Sequence, residues 1–225
     1  MHDSTIALTR VLRTPNQSWV SHERPPLTDW RQGLPTLSGR LLTLRELIPD
    51  DAAALLPLLS AREVTRFMSA PPPSLERFAA FVDSTRRERQ AGRYAGFAIV
   101  PHGEAQPVGV VQLRQLEPGF STAEWGVAIG SPWWGRGLFE DAGRLMLAFA
   151  FQTLGVHRLE ARVAAQNARG MAAVAKLAGT QEGLLRRALL TPDGTRVDQV
   201  LWAWLEEDWR RQMASRREGA LSWVH

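Results

Sequence analysis

Two glycines separated by an arginine stand directly before an apolar helical pattern, in the segment Trp134-Gly135-Arg136-Gly137-Leu138. The first turn of a helix leaves backbone N–H groups without intrahelical partners and carries a partial positive charge, so it can receive a phosphate. The glycines let a ligand approach the main chain, and Arg136 adds a full positive charge. The pattern predicts a phosphate-binding turn, although two glycines here are equally compatible with a simple turn into the helix.

Two common phosphate-binding motifs do not fit this segment. The chain contains no G-x-x-x-x-G-K-[ST] motif, and Glu140 occupies the position of the third glycine in the dinucleotide-binding pattern. The expected ligand is therefore a phosphate carrier of another kind.

Composition excludes several kinds of chemistry. The 225 residues include no cysteine, which rules out disulfides, cysteine nucleophiles and thiolate metal sites. The five histidines lack metal-ligand spacing, so no metal site is expected. Because the sequence shows no leader peptide and no apolar run of roughly 18 residues, we expect a soluble, cytoplasmic protein without a membrane partner.

The positive charge of the chain is spread rather than concentrated. The sequence pI is about 10.7, but the formal net charge is only +4 and Lys176 is the only lysine. Arginine supplies nearly all of the base and is interleaved with carboxylates, which is typical of a solvated surface. We expect no nucleic-acid partner; an arginine-rich nucleic-acid binder would require salt-dependent affinity for DNA or RNA.

The elements that must position the glycine turn follow from the apolar periodicity. Residues 1–36 lack a sustained period and contain four prolines, so they are predicted to form an irregular N-terminal arm. Residues 37–209 are predicted to form one domain, and residues 210–225 a C-terminal tail. Strands are predicted over residues 41–47, 94–100, 107–113, 122–129, 156–163, 182–190 and 197–205. Helices are predicted over residues 52–59, 74–90, 138–153 and 167–177.

This order of elements indicates a mixed α/β fold. The strands over residues 94–129 form an antiparallel meander, because only short, turn-rich segments separate them. The helix over residues 138–153 connects two strands in a β-α-β unit, whose crossover makes those two strands parallel.

Four segments, one of which is the glycine turn, resemble motifs of one known family and follow the family's order along the chain. The match at the glycine turn is close, except that Phe139 replaces a small residue. The segments are WGRGLFEDA at 134–142, similar to W-G-K-G-Y-A-T-E-A; AEWGVAI at 123–129, similar to A-E-I-G-Y-x-I; HRLEARVAAQNARG at 157–170, similar to a strand followed by N-x-x-S; and KLAGTQEG at 176–183, similar to K-L-G-F-x-x-E-G. Residues 37–209 thus resemble the GNAT superfamily of acetyl-CoA-dependent N-acetyltransferases, in its RimJ/RimL-like branch.

The resemblance implies a mostly antiparallel sheet with splayed central parallel strands and flanking helices. It also implies that acetyl-CoA is the co-substrate and lies in the gap between the splayed strands. Its pantetheine would pair with the backbone of Val127, Ala128 and Ile129. Its pyrophosphate would meet the segment formed by Trp134, Gly135, Arg136, Gly137, Leu138 and Phe139. Asn167 matches a family asparagine that contacts the cofactor, although an asparagine here is also an ordinary helix cap. Gly170 stands where the family has a serine.

Glu124 is the best candidate for a catalytic residue, because amine acetylation requires a group that accepts the amine proton, directly or through water. The alternative interpretation is a surface carboxylate on a half-exposed strand. Many family members use a tyrosine on the helix after the fifth strand as general acid. The only tyrosine here is Tyr94, in an earlier strand, so that role is vacant.

Two hypotheses about function remain. The first is an N-acetyltransferase, a monomer or homodimer, that transfers acetyl to a primary amine of a protein N-terminus or small molecule, by direct attack of that amine on acetyl-CoA. The second is a non-catalytic GNAT-like module that binds CoA or a partner, suggested by Phe139, Gly170 and the missing tyrosine.

Overall fold

The computed structural model of the protein describes residues 29–221, with side chains described as far as residue 215. The strands are β1 (Leu37–Ser38), β2 (Leu42–Glu46), β3 (Tyr94–Pro101), β4 (Gly109–Gln115), β5 (Thr122–Ile129), β6 (Arg158–Ala164), β7 (Thr180–Leu190) and β8 (Arg196–Leu205). The helices are α1 (Ala52–Leu59), α2 (Arg62–Thr65), α3 (Leu75–Gln90), α4 (Leu138–Ala148) with a π-helical continuation (Phe149–Leu154), α5 (Ala168–Ala175) and α6 (Glu206–Leu221). None of the helices within residues 29–221 has the length and apolar character needed to cross a membrane.

The strands of the described chain form one sheet in the order β1-β2-β3-β4-β5-β6-β8-β7. Strands β5 and β6 are its parallel pair, as the β-α-β prediction required, and the other neighbours are antiparallel. The parallel pairing covers only residues 122–124 of β5 and 158–160 of β6, whereas β6 pairs with β8 along residues 158–164. The two central strands therefore separate beyond Glu124. The predicted fold class is confirmed.

Helices cover both faces of the sheet. The larger apolar core lies between the sheet and α4 with its π-helical continuation, and includes Phe97, Met146 and Phe149. A smaller core on the opposite face is formed by residues of α1 and α3, including Leu55 and Phe78. On β5, Ala123, Trp125 and Ile129 belong to the larger core and Ala128 to the smaller one, because side chains along a strand point alternately to opposite faces.

Part of the predicted arm contacts the domain. Trp30 packs edge-on against Phe120, with ring centroids 5.5 Å apart. The buried Arg89 binds Glu46 at 2.8 Å and donates to the carbonyl oxygens of Trp30 and Arg31. Residues 1–28 lie outside the described residues, and α6 continues from residue 206 across the predicted boundary at residue 209. The division into arm, domain and tail stays a prediction.

The start of α4 is fixed to the β1–β2 turn by a carboxylate. Asp141, in the first turn of α4, accepts hydrogen bonds from the backbone N–H groups of Leu41 at 2.7 Å and Arg40 at 3.2 Å. Gly39 leaves room for this contact, because a Cβ there would overlap the Asp141 carboxylate. This contact holds the end of the glycine turn against the rest of the sheet.

We expect Asp141→Ala to lower the free energy of unfolding by about 1–3 kcal/mol, because the partly buried N–H group of Leu41 and the exposed N–H group of Arg40 lose their acceptor. Urea unfolding measures this loss. Glu140→Ala is the matched control, because it removes an acid from the same helical turn. Within the described residues the one ion pair of Glu140 is with the exposed Arg144, a pair worth about 0.3–0.5 kcal/mol. Equal losses in the two variants would contradict the assigned role of Asp141.

Candidate functional site

The opening between β5 and β6 exposes main-chain groups of β5. Gly130 N donates to Val108 O at 2.9 Å, and Leu116 N donates to Thr122 O at 2.9 Å. The backbone groups of the even-numbered residues of β5 therefore face β4, since these directions alternate along a strand. The N–H and C=O groups of Val127 consequently face the other edge, beyond the point where β6 has separated.

The three residues predicted to pair with pantetheine differ in this respect. Val127 and Ile129 direct their backbone groups to the opening, whereas Ala128 lies in register with Val110 of β4 and directs its backbone toward that strand. The carbonyl oxygen of Ile129 accepts a hydrogen bond from Trp134 Nε1 at 2.7 Å. This bond anchors the indole of Trp134 at one end of the opening.

The glycine turn has the backbone conformation that its sequence predicts. Gly135 and Gly137 have φ values of 74° and 79°, in the left-handed region that disfavours other residues. A Cβ at Gly135 would meet no atom within 4 Å, so its main chain borders open space. Gly137 is the N-cap of α4. Leu138 is buried in the core and can contribute only its backbone to a ligand.

Two arginines lie at this end of the opening, each stacked on a tryptophan of the turn. The guanidinium carbon of Arg136 lies 4.6 Å from the ring centroid of Trp133, and that of Arg169 lies 3.5 Å from that of Trp134. Within residues 29–215, neither guanidinium has a carboxylate within 4 Å. Their uncompensated charge favours an anionic ligand.

Sequence reasoning missed Arg169. The available signal was its place in the first turn of a helix, where the helix dipole disfavours a cation. Its neighbour Asn167 is the N-cap of α5, and its Oδ1 accepts from Gly170 N at 3.0 Å. A Cβ at Gly170 would lie 2.7 Å from Asn167 Nδ2, so the serine that the resemblance leads us to expect would displace this cap.

A buried donor without an acceptor lies where the central strands separate. Trp125 is 4% exposed, and its Nε1 has no hydrogen-bond partner among the described residues. Its ring packs against Phe139 and Trp204, with centroids 5.8 and 5.6 Å away. A buried donor without an acceptor lowers the free energy of unfolding by about 1–3 kcal/mol. A ligand carbonyl that accepts from Nε1 would remove this cost. Together with the open main chain and uncompensated cations, Trp125 fits a ligand that carries both phosphates and amide carbonyls.

Glu124 lies on the opposite face of the sheet, in a network of ion pairs. Its carboxylate binds Arg114, the residue directly across from it on β4, and lies 3.8 Å from Arg162 Nε. Glu160, beside Glu124 in the parallel pair, lies 3.7 Å from Arg162 and 2.8 Å from Arg158. Glu124 is thus an ion-paired, mostly covered carboxylate at the last residue before the strands separate.

A hydrogen-bonded pair lies next to this network. The Tyr94 hydroxyl donates to Gln112 Oε1, and Gln112 Nε2 lies 3.5 Å from the position that a Cβ of Gly126 would take. Gln112 therefore holds an amide donor above Gly126, between Trp125 and Val127 on β5. Burial raises the pKa of Tyr94, and the nearby charge of Arg114 opposes this shift without cancelling it.

Comparison with known proteins gives a consistent result. A family model described as an acetyltransferase (GNAT) domain matches residues 41–181. The uncharacterized N-acetyltransferase p20 of Bacillus licheniformis is 28% identical over 155 residues, covering 67% of this chain and 85% of p20. The uncharacterized N-acetyltransferase YoaA of Bacillus subtilis is 25% identical over 171 residues, covering 74% of this chain and 97% of YoaA.

A solved structure extends the similarity to three dimensions. Mycobacterium smegmatis RimJ in complex with CoA-disulfide has a TM-score of 0.70 and is 25% identical in sequence. The match covers 77% of this chain and 88% of RimJ.

We expect the single tyrosine of this chain to titrate above the usual pKa of about 10 in the folded protein, because burial disfavours the phenolate. Ultraviolet absorbance of the phenolate, measured with and without urea, reports both pKa values. The unfolded chain then loses its tyrosine proton first, so the free energy of unfolding falls as pH rises above about 10 and until the folded-state pKa is passed.

Tyr94→Phe is the control for this titration, since it removes the only phenol. Its stability should lack the component of alkaline loss that Tyr94 causes in the parent chain, and Lys176 is the only lysine that could add to it. A native tyrosine that titrates at its ordinary pKa would contradict the buried position of Tyr94.

Proposed function

This chain belongs to the GNAT family of acetyltransferases, and we propose that it transfers the acetyl group of acetyl-CoA to a primary amine of a protein N-terminus or small molecule. The observation that carries this proposal is the opening between β5 and β6, which starts beyond Glu124. One side of this opening carries the free main-chain groups of Val127, the indole donor of Trp125, and the two arginines without carboxylate partners in the described chain, Arg136 and Arg169. A carboxylate network lies at its start on the other face.

We assign the binding of acetyl-CoA to the main chain and the glycine turn. The backbone of Val127 pairs with pantetheine along the open edge of β5, while the N–H groups from Gly135 to Phe139 receive the pyrophosphate. Arg136 adds a positive charge beside the turn, and Trp125 Nε1 donates to a carbonyl in the opening. Asn167 caps α5 on the opposite side, where its amide N–H groups remain available.

Acetyl-CoA supplies an acetyl thioester, whose carbonyl carbon is attacked by a neutral amine, forming the amide and releasing the CoA thiol. In this proposal Glu124 accepts the amine proton, directly or through water. It exchanges one of its two guanidinium contacts, with Arg114 or Arg162, for the incoming amine, and the other contact keeps it in place. Gln112, oriented by Tyr94, donates to a polar atom of the acceptor above Gly126.

The proton taken up by the leaving sulfur comes from solvent in this proposal. Tyr94 is the only tyrosine, and its buried hydroxyl already donates to Gln112. It also lies on β3 rather than on the helix after β6, from which the family tyrosine would act. Tyr94 therefore orients the acceptor side of the site.

An acceptor screen tests the proposed reaction. Acetyl-CoA is incubated with the protein and either peptides with free N-termini or small primary amines, and released CoA thiol is measured with a chromogenic disulfide. The protein contributes no thiol background, because it has no cysteine. Acceptor-dependent thiol release supports the proposal. Tight CoA binding without turnover in either panel would favour the non-catalytic alternative.

We expect acetyl-CoA to raise the melting temperature of the protein, because a ligand that binds only the native state stabilises it. Gly135→Glu should abolish this shift by placing a negative charge where the pyrophosphate approaches. Gly103→Glu is the matched control, since Gly103 also has a positive φ, 88°, and open space around its Cβ position. A folded Gly135→Glu protein with an unchanged shift would overturn the assignment of the turn.

Once an acceptor is known, we expect Glu124→Gln to lower kcat on the order of 10²-fold or more while leaving CoA binding nearly unchanged. The amide has a similar volume but cannot take up the amine proton, so the variant should need a higher pH to recover activity. Glu160→Gln is the control, because Glu160 contacts the same Arg162. An unchanged kcat and pH profile in Glu124→Gln would remove Glu124 from the mechanism, and equal losses in both variants would indicate a purely structural network.

A further inference from the structure

We propose that Arg169 is a cofactor-binding residue whose guanidinium binds the pyrophosphate of acetyl-CoA and is held ready for it by stacking on Trp134. This inference rests on the proposed function, because it assumes that acetyl-CoA occupies the opening. Arg169 lies outside the glycine-turn motif and occupies an unspecified position of the N-x-x-S motif, so neither motif assigns it a role.

The stacking connects the two sides of the opening. Trp134 belongs to the turn after β5, and its indole N–H is bound to Ile129 O at 2.7 Å. Arg169 belongs to the first turn of α5, which follows β6. Its guanidinium carbon lies 3.5 Å from the Trp134 ring centroid. The cation is therefore held against the ring of Trp134, the residue that precedes Gly135, whose main chain borders open space.

Arg169 is exposed, and its place in the fold gives its charge no partner within the described chain. The N-terminal end of a helix carries a partial positive charge, and the first turn of α5 contains no acidic residue. No carboxylate of residues 29–215 lies within 4 Å of the Arg169 guanidinium. A bound phosphate would compensate both Arg169 and Arg136, and a planar guanidinium can donate two parallel hydrogen bonds to it.

Arg169 also offers donors next to a position that has no side chain. Gly170 follows it directly, and a Cβ at Gly170 would lie 2.7 Å from Asn167 Nδ2 and 3.0 Å from a methyl group of Val163. The present packing of Asn167 thus leaves no space for a hydroxyl-bearing side chain at residue 170. On this side of the opening the Asn167 amide is one donor for the ligand, and Arg169 is the adjacent charged donor.

Calorimetric titration with three probes tests this inference without any need for an acceptor. The probes are CoA, 3′-dephospho-CoA, which keeps the pyrophosphate, and pantetheine, which has no phosphate. We expect Arg169→Ala to weaken binding of CoA and of 3′-dephospho-CoA by the same factor, about 10- to 100-fold, and to leave pantetheine unchanged. Arg169→Lys should lose less than Arg169→Ala, because it keeps the charge but not the planar fork.

Arg87→Ala is the control, because Arg87 is an exposed arginine on α3, which packs on the face of the sheet opposite α4. Melting temperatures identify misfolding; Arg169→Ala should fold, because alanine favours helix and Asn167 still caps α5.

Parent protein that binds no CoA would refute the proposed function itself. Parent protein that binds CoA while Arg169→Ala binds it equally well would overturn only the role of Arg169. A loss confined to CoA, with 3′-dephospho-CoA unaffected, would also overturn it, because the contact would then be with the 3′-phosphate.

Discussion

The candidate site depends on one constraint, the short parallel pairing between β5 and β6. Strand β6 pairs with β8 along its whole length but with β5 only at residues 158–160. Buried main-chain polar groups need partners, so an edge that is left open inside a sheet is unfavourable unless something else completes it. The outward-facing groups of the partly buried Val127 are therefore free to pair with a ligand, and Trp125 adds an indole donor that has no partner among the described residues.

The side chain of Trp134 links the glycine turn to the end of β5. Its indole N–H donates to Ile129 O, and its ring is the surface on which Arg169 stacks. Asp141 fixes the other end of the turn to the β1–β2 connection. With both ends held, Gly135 and Gly137 keep their positive φ angles in a defined place, so little main-chain entropy remains to be lost when an anion binds.

Sequence reasoning was most successful where local signals were strong. Thr122–Ile129 and the helix capped by Ser74 were predicted nearly residue by residue, since periodicity and capping act locally. The strand β1 and the helix α2 were missed, because two and four residues carry too little periodicity. The ion pairs of Glu124 and the stacking of Arg169 on Trp134 depend on strand register and on residues far apart in sequence, which no single segment encodes.

The two faces of the sheet differ in their ion pairing, and in the proposed function this difference separates the sites of the two substrates. On the face of α4, Arg136 and Arg169 have no carboxylate partners in the described chain, so an anion is attracted by net charge and its binding should weaken with salt. On the opposite face, Arg114 and Arg162 are neutralised by Glu124 and Glu160. An acceptor that approaches there meets little net field. In this proposal the acceptor is therefore selected by hydrogen-bond geometry and by shape. Ion-paired side chains, which are fixed in position, discriminate between acceptors more specifically than unpaired charges do.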